Sequence, residues 1–321
     1  MRAVRFHRHG GPDVLQVDEV AVPEPAAGQV LIEAEAIGAN AIDTVLRRGG
    51  SPWDRPLPGA LTGDVVGRIV RLGPAVELEL GQRVSALAED AFADFAVADA
   101  AFLAPVPDDA DAGEASMMSL TAPLAYRLLE TGRVAAGGTV LIQSAAGTVG
   151  HLAVQLARSY DPKTIIGTAS SPKRLDFIKS LGAEPVDLTD PDWPARVREL
   201  APDGVDAVLD SVGGTVFDQG LDLLAPLGRM VTYGAISTEL PVVPAFKLFA
   251  LKSVTGISIR GWQQARPDEA RADIAEVTRR WQAGELRPVV DATYPLAEVA
   301  RIHEALDARS NLGRLIATVR S

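Results

Sequence analysis

Cysteine is absent from the 321-residue chain. That absence excludes disulfides, thiolate nucleophiles and any zinc site built on sulfur. An excess of positive charge is also missing. The net charge is -11, which disfavours nucleic acid and anionic membranes as partners because both are polyanions. A small anionic ligand stays open, since it needs only a local positive site. No apolar run approaches the length of a bilayer-spanning helix, and the N-terminal stretch MRAVRFHRHGGPDV has no apolar signal core. The expectation is a soluble, cytoplasmic protein. Internal repeats and low-complexity tracts are lacking as well. What is present is a chain that is 47% hydrophobic, enough for a large core and long enough for two domains.

The first third is rich in short strand-like runs broken by Gly and Pro: residues 30–40, 65–73 and 81–88. From about residue 117 the pattern changes. Apolar runs at 139–145, 164–170, 184–188, 205–212, 229–235 and 253–258 read as strands, and most are separated by amphipathic helical stretches such as 149–159, 173–182, 193–201 and 216–228. Unbroken apolar strands alternating with helices predict a parallel sheet covered on both faces. Beyond residue 260 come a helix at 271–286, a strand-like run at 289–296, a helix at 297–308 and a closing strand at 313–320. The charge-rich segment at 267–281 reads as a solvated helix face, with a partner-binding face as the weaker reading.

The first of these strands runs into SAAGTVG, with Ala145, Gly147 and Gly150 at the spacing of a dinucleotide phosphate loop. Gly147, lacking Cβ, lets backbone approach a pyrophosphate, and Gly150 lets the following helix pack on the sheet. The helix N-terminus offers N–H groups and positive dipole. Ala146, Gly147, Thr148, Val149 and Gly150 are therefore candidate cofactor residues; a structural strand-to-helix turn is the competing reading. The end of the second strand favours one cofactor. NAD sites place an acid there, yet no acid occurs from Lys163 through Leu175. Ser170, Ser171, Lys173 and Arg174 instead suit a 2′-phosphate, so NADPH is expected over NADH. Two later strand ends, DSVGG and TYGAIS, contribute Ser211, Val212, Tyr233, Gly234 and Ala235 as candidates to line the same crevice.

These strings together carry a resemblance. FHRHGGPDVLQV, AIGANAIDTVLRRG, AAGTVG, DSVGG, TYG and NLGRLIATV occur in the order found in the zinc-independent quinone oxidoreductase (zeta-crystallin-like) branch of the medium-chain dehydrogenase/reductase superfamily, which the chain resembles nearly end to end. The resemblance implies an α/β fold: a Rossmann doubly wound parallel sheet inserted into a GroES-like β-rich catalytic domain. The domains are expected at 1–116 and 259–321 (catalytic) and 117–258 (cofactor-binding). It further implies NADPH-dependent reduction of a small-molecule quinone or enone in the cleft between domains. It also implies a homodimer joined through the sheet edge at 253–258. Arg314, in the closing strand, joins the expected cofactor-binding residues.

The superfamily's alcohol dehydrogenases hold a catalytic zinc through Cys and His. Here Asn40 and Gly63 occupy the matching positions, and no four-cysteine lobe occurs between Val84 and Phe95. His7 and His9, on one face by strand alternation, lack the companions of a zinc site and read as structural. The resemblance implies direct hydride transfer from C4 of NADPH to an acceptor that delocalises the arriving charge, with the protein orienting the reactants and excluding water. Asn40 is the expected donor to the substrate oxygen or the nicotinamide ribose. Asp43 is expected either in a proton relay or in a hydrogen-bonding structural role. Trp53, Thr62 and Asp64 are expected cleft residues, and Phe246 and Phe249 are candidates to roof the substrate, against a plain core reading for each. Departures from the family pattern fall at Val45 and Leu188, where tyrosines are common, and at Leu124 or Thr121, where a threonine is common. Two alternatives remain. An enoyl-thioester reductase would need basic residues such as Arg47, Arg48 and Arg55 for its carrier, and a nucleotide-binding structural protein would turn nothing over.

Overall fold

The computed structural model describes residues 1–51 and 54–319. The chain divides into two compact units, Met1–Pro123 with the segment from Asp268, and Leu124–Pro267. The divisions fall later than the boundaries expected at 116 and 258. The first unit keeps the start of the helix Thr121–Gly132, and the short helix Ile259–Ala265 stays with the second.

The second unit is a six-stranded, wholly parallel sheet. In chain order its strands are Thr139–Ile142, Thr164–Ala169, Glu184–Asp187, Val205–Asp210, Leu224–Thr232 and Ser253–Gly256. Their spatial order is third, second, first, fourth, fifth, sixth, the doubly wound arrangement whose crevice lies where the order reverses. Leu141, Ile166, Val208 and Met230 are buried and pack with Trp193, Val197, Phe217 and Leu221 from the helices. One expectation is corrected here. The helix read over 216–228 ends at Asp222, and a strand begins at Leu224. Pro226 has no N–H to give a helix and would clash with the preceding turn, so the apolar run LLAPLG extends into the sheet.

The first unit is built on a seven-stranded, mainly antiparallel sheet. Gln29–Gly38 lies at its centre, flanked by Gly63–Leu72, Phe95–Asp99 and Arg314–Thr318. The C-terminal segment thus returns to complete the sheet that the N-terminal third begins, with Val290–Pro295 paired outside Arg314–Thr318. A second, three-stranded sheet of Leu15–Glu19, Arg2–Phe6 and Gly59–Ala60 shares its core, where Phe6, Ile32, Val65, Phe92, Ile302 and Leu315 pack together. The architecture is a Rossmann sheet inserted into a GroES-like unit. Among the described residues, no helix is long and apolar enough to cross a membrane.

Candidate active site

In the cofactor-binding unit, the chain leaves Thr139–Ile142, turns with Ser144 at a positive φ of 52° and starts the helix Thr148–Ala157 with Gly147 as N-cap. The close approach is real at Gly150: a Cβ there would lie 2.4 Å from the Ser144 carbonyl oxygen and 2.7 Å from the Ala145 Cα. Both obstacles are backbone, so the glycine is sterically required. Alanine at the first position of the motif also has an explanation. Ala145 is fully buried, and its methyl faces the α-carbon of Gly167 on the neighbouring strand, where an added Cβ would sit 2.8 Å from it. The missing atom of Gly167 accommodates the extra atom of Ala145. At Gly147 a Cβ would meet the Ser144 carbonyl at 3.2 Å and the Arg174 Nη2 at 3.8 Å. Arg174 therefore reaches back from its own helix to the Gly147 turn, and its side chain is buried beside it. Ser170 and Lys173 are exposed. Ser171 N-caps the helix Pro172–Ser180 without a side-chain cap hydrogen bond.

The later strand ends are held by one carboxylate. Buried Asp210 accepts hydrogen bonds through Oδ1 from the Val212 and Gly213 amides at 3.1 and 3.2 Å, and through Oδ2 from Thr232 Oγ1 at 3.1 Å. Burial raises its carboxyl above the usual range, against those three bonds. The turn is then stitched to the next: the amides of Ile236 and Ser237 donate to the carbonyls of Ser211 and Val212, at 3.0 Å each. Tyr233 is half-buried, and burial pushes its phenol up to about 12 against a hydrogen bond with Ser211. Gly234 is exposed and Ala235 half-buried.

In the catalytic unit, the end of the strand Gln29–Gly38 pairs with both neighbours, Gly38 opposite Asp64 on one side and Ile316 on the other. This register brings Asn40, Asp64 and Arg314 together. Arg314 Nη1 donates to Asn40 Oδ1 at 3.2 Å and to Thr121 Oγ1 at 2.6 Å, and Nη2 pairs with Asp64 Oδ2. Ser119 Oγ donates to Asp64 Oδ1 at 3.1 Å and lies 3.0 Å from Ser85 Oγ. Both charged side chains are fully buried. Burial pushes Asp64 up, while Arg314, Ser119 and Asn40 pull it back. Gly38 leaves the guanidinium its space, since a Cβ there would lie 2.2 Å from Arg314 Nη2. Ser85 and Ser119 escape a sequence reading because single hydroxyl residues carry no spacing signal; Thr121, weighed with Leu124 for the family's threonine position, is the residue that binds Arg314.

Asp43 sits in the first turn of the helix Ile42–Arg48. Its Oδ1 accepts from the Thr62 amide at 2.7 Å and from Thr62 Oγ1 at 3.0 Å. Burial is the largest influence and pushes its carboxyl up to about 7, against the two Thr62 bonds and the more distant Arg55 and Arg314 charges.

Several expectations need correction. Arg314, expected against the cofactor, has no exposed surface and is committed to Asp64, Thr121 and Asn40. Asp64 and Thr62, expected to face the cleft, are buried and bind Arg314 and Asp43 instead. Phe246 and Phe249 are 68% and 83% exposed, which overturns the core reading. Trp53 lies outside the described residues. His7 and His9 fall beyond the strand Arg2–Phe6, so strand alternation does not apply to them. His7 Nε2 lies 2.8 Å from Asp18 Oδ2, and the His9 ring packs on Phe6 with centroids 5.8 Å apart. Among the described residues, no group of three or more His, Cys, Asp or Glu could hold a metal ion. Arg47 and Arg48 both bind Asp307, at 2.6 and 2.5 Å, and Arg55 binds Glu89.

Comparison with known proteins identifies the family of both units. Residues 26–108 match the alcohol dehydrogenase GroES-like domain, and residues 148–278 match the family described as zinc-binding dehydrogenase. The mouse synaptic vesicle membrane protein VAT-1 homolog-like is 30% identical over 344 residues, covering 99% of this chain and 81% of its own. Human quinone oxidoreductase is 30% identical over 311 residues, covering 95% of this chain and 93% of its own. A mycobacterial protein solved in complex with NADPH is 34% identical with a TM-score of 0.93, over 99% of this chain and 100% of that one. The second family's description names zinc, but a chain without cysteine cannot supply the thiolate that its alcohol dehydrogenases use. The chain belongs to the zinc-independent quinone oxidoreductase branch of the medium-chain dehydrogenase/reductase superfamily.

Proposed function

We propose that this protein is an NADPH-dependent reductase that passes a hydride to a quinone or conjugated enone. The observation that carries the reading is the Asn40 amide. It is a neutral hydrogen-bonding group held by buried partners at the position where the alcohol dehydrogenases have a cysteine zinc ligand. A neutral donor polarises a simple ketone weakly. It suffices for an acceptor whose incoming charge spreads over a conjugated system, where orientation contributes most.

The cofactor-binding unit fits NADPH. The backbone turn at Gly147, with the helix N-terminus behind it, is a cradle that a side chain would fill. Arg174 beside that turn supplies positive charge, and Ser170, Ser171 and Lys173 suit the 2′-phosphate in a stretch without acids. NADPH, when bound, supplies the hydride. Asn40 donates an N–H to the acceptor oxygen. Asp43 holds its proton to about pH 7, but it is buried against Thr62, so it would return a proton only through the Thr62 hydroxyl. Phe246 and Phe249 offer flat apolar surface for an aromatic acceptor.

We also propose a cytoplasmic homodimer. Ser253–Gly256 is an edge strand of the parallel sheet, and Leu227 and Leu251 expose apolar surface on the same unit. An open edge beside apolar side chains favours pairing with a second copy. The enoyl-thioester alternative has less support, because Arg47 and Arg48 are already engaged by Asp307 and Arg55 by Glu89. The deciding experiment is NADPH oxidation, followed by absorbance, against quinones, enones and a crotonyl thioester. Turnover of quinones or enones is expected. Turnover of the thioester alone contradicts the proposal.

A further inference from the structure

Every polar atom of an asparagine amide has a direction, and its two ends look alike in shape. What decides which end faces a substrate is the partner on the other side. In this protein the partner is unambiguous. Arginine carries five N–H donors and no acceptor, so the atom of Asn40 facing Arg314 Nη1 at 3.2 Å must be the carbonyl oxygen. The amide nitrogen is thereby turned away from Arg314. One of its hydrogens is engaged by the Asp64 carboxylate, and the other is left to donate.

Arg314 is itself fixed. Its guanidinium is held by Asp64 through Nη2 and by Thr121 Oγ1 through Nη1 at 2.6 Å, with Ser119 Oγ tying Asp64 from the far side at 3.1 Å. The pair has no contact with solvent. Gly38 is the only residue type that leaves the guanidinium its path, since an alanine methyl would fall within 2.2 to 2.5 Å of three of its atoms. A buried ion pair of this kind is a weak source of net stability, and its removal from one side leaves an uncompensated charge. A role in specifying geometry explains its presence better than a role in holding the unit together.

We propose that the buried Asp64–Arg314 pair sets the orientation of the Asn40 amide, so that Asn40 presents N–H rather than C=O to the acceptor, and that Arg314 influences turnover through Asn40 alone. Arg314 and Asp64 are positioning residues and touch neither substrate nor cofactor. The proposal rests on the role given to Asn40 above.

The test is a double-mutant cycle on kcat with a quinone or enone, using Asn40→Ala and Arg314→Lys. The lysine keeps the positive charge but lacks the planar fork that reaches Asp64, Thr121 and Asn40 together. Asn40→Ala is expected to lower kcat by about a hundredfold, the scale of losing one transition-state donor. Arg314→Lys is expected to lower kcat about tenfold in the parent protein and to add no loss in the Asn40→Ala background, with the KM for NADPH unchanged in both. An equal loss in both backgrounds overturns the proposal, as does a loss confined to the NADPH KM, which would make Arg314 a cofactor contact after all. If Asn40→Ala retains full kcat, the role of Asn40 fails and the proposal fails with it. If Asn40→Ala is slow but the cycle is additive, the proposal fails alone. Should Arg314→Lys not fold, Thr121→Val removes one anchor of the guanidinium while keeping both charges. A loss of about threefold that vanishes in the Asn40→Ala background is then expected, and an additive loss again overturns the proposal.

Discussion

The two units build their sites from opposite materials. The cofactor-binding unit uses backbone: a turn between Ser144 and Gly150, two further turns tied by Asp210, and small residues wherever a ligand must come close. The catalytic unit uses buried side-chain pairing: Asp64 with Arg314, Asp43 with Thr62, and Asn40 held at the end of the first of these. A backbone cradle tolerates exchange of its exposed side chains but not the addition of a carbon atom at its glycines. A side-chain network behaves the other way, since its fold is supported by the surrounding sheet while its function depends on individual polar atoms.

That contrast can be broken, or sharpened, in four places. The largest effect is expected at Gly150. Valine there would force backbone apart at Ser144 and Ala145, destabilising the unit by about 3 kcal/mol and abolishing NADPH binding, measurable by denaturant unfolding and nucleotide fluorescence. Asn40→Ala should leave the unfolding midpoint close to that of the parent while lowering kcat about a hundredfold; a large stability loss instead would mean that Asn40 is a structural member of its unit.

A smaller effect attaches to Asp43. Its carboxyl holds a proton up to about 7 when folded, against 3.8 for the ordinary group. Between those values the folded state binds more protons than the unfolded one, so stability declines as pH rises through the window. Asp43→Asn keeps an oxygen for the Thr62 donors and should flatten that decline, read from unfolding midpoints at about pH 5 and about pH 8. If Asp43 returns a proton in turnover, the parent's kcat also falls above about 7 and the variant's does not. The smallest effect is expected from Lys173→Ala. The side chain is exposed, so losing its charge should raise the KM for NADPH only about two- to fivefold, with kcat nearly unchanged.

The same contrast explains what the sequence discloses. The six strands of the parallel sheet are legible as apolar runs, because strands covered on both faces need apolar side chains throughout. Their ends are less so. The run read as 139–145 is regular strand only to Ile142. Gln143 and Ala145 still donate to the Leu209 and Thr168 carbonyls at 3.0 Å each, while Ser144 between them is left-handed. The phosphate loop is legible because glycines at fixed spacing record a steric demand. The catalytic network is not. Arg314 and Asp64 lie 250 residues apart in the chain, and nothing local to either says that they meet. Resemblance alone put Arg314 against the cofactor, whereas the register of three strands turns it towards Asn40. The exposure of Phe246 and Phe249 is equally hidden, because an apolar residue in a short helical turn reads the same whether it faces the core or solvent.

The central claim is direct delivery of a hydride to a conjugated acceptor. NADPH carrying deuterium at the transferred position of C4, turned over with an enone, tests it most directly. Carbon-bound deuterium at the β-carbon of the saturated ketone is the predicted result. Consumption of NADPH with the label lost to water, or no turnover of any enone or quinone, would contradict the account.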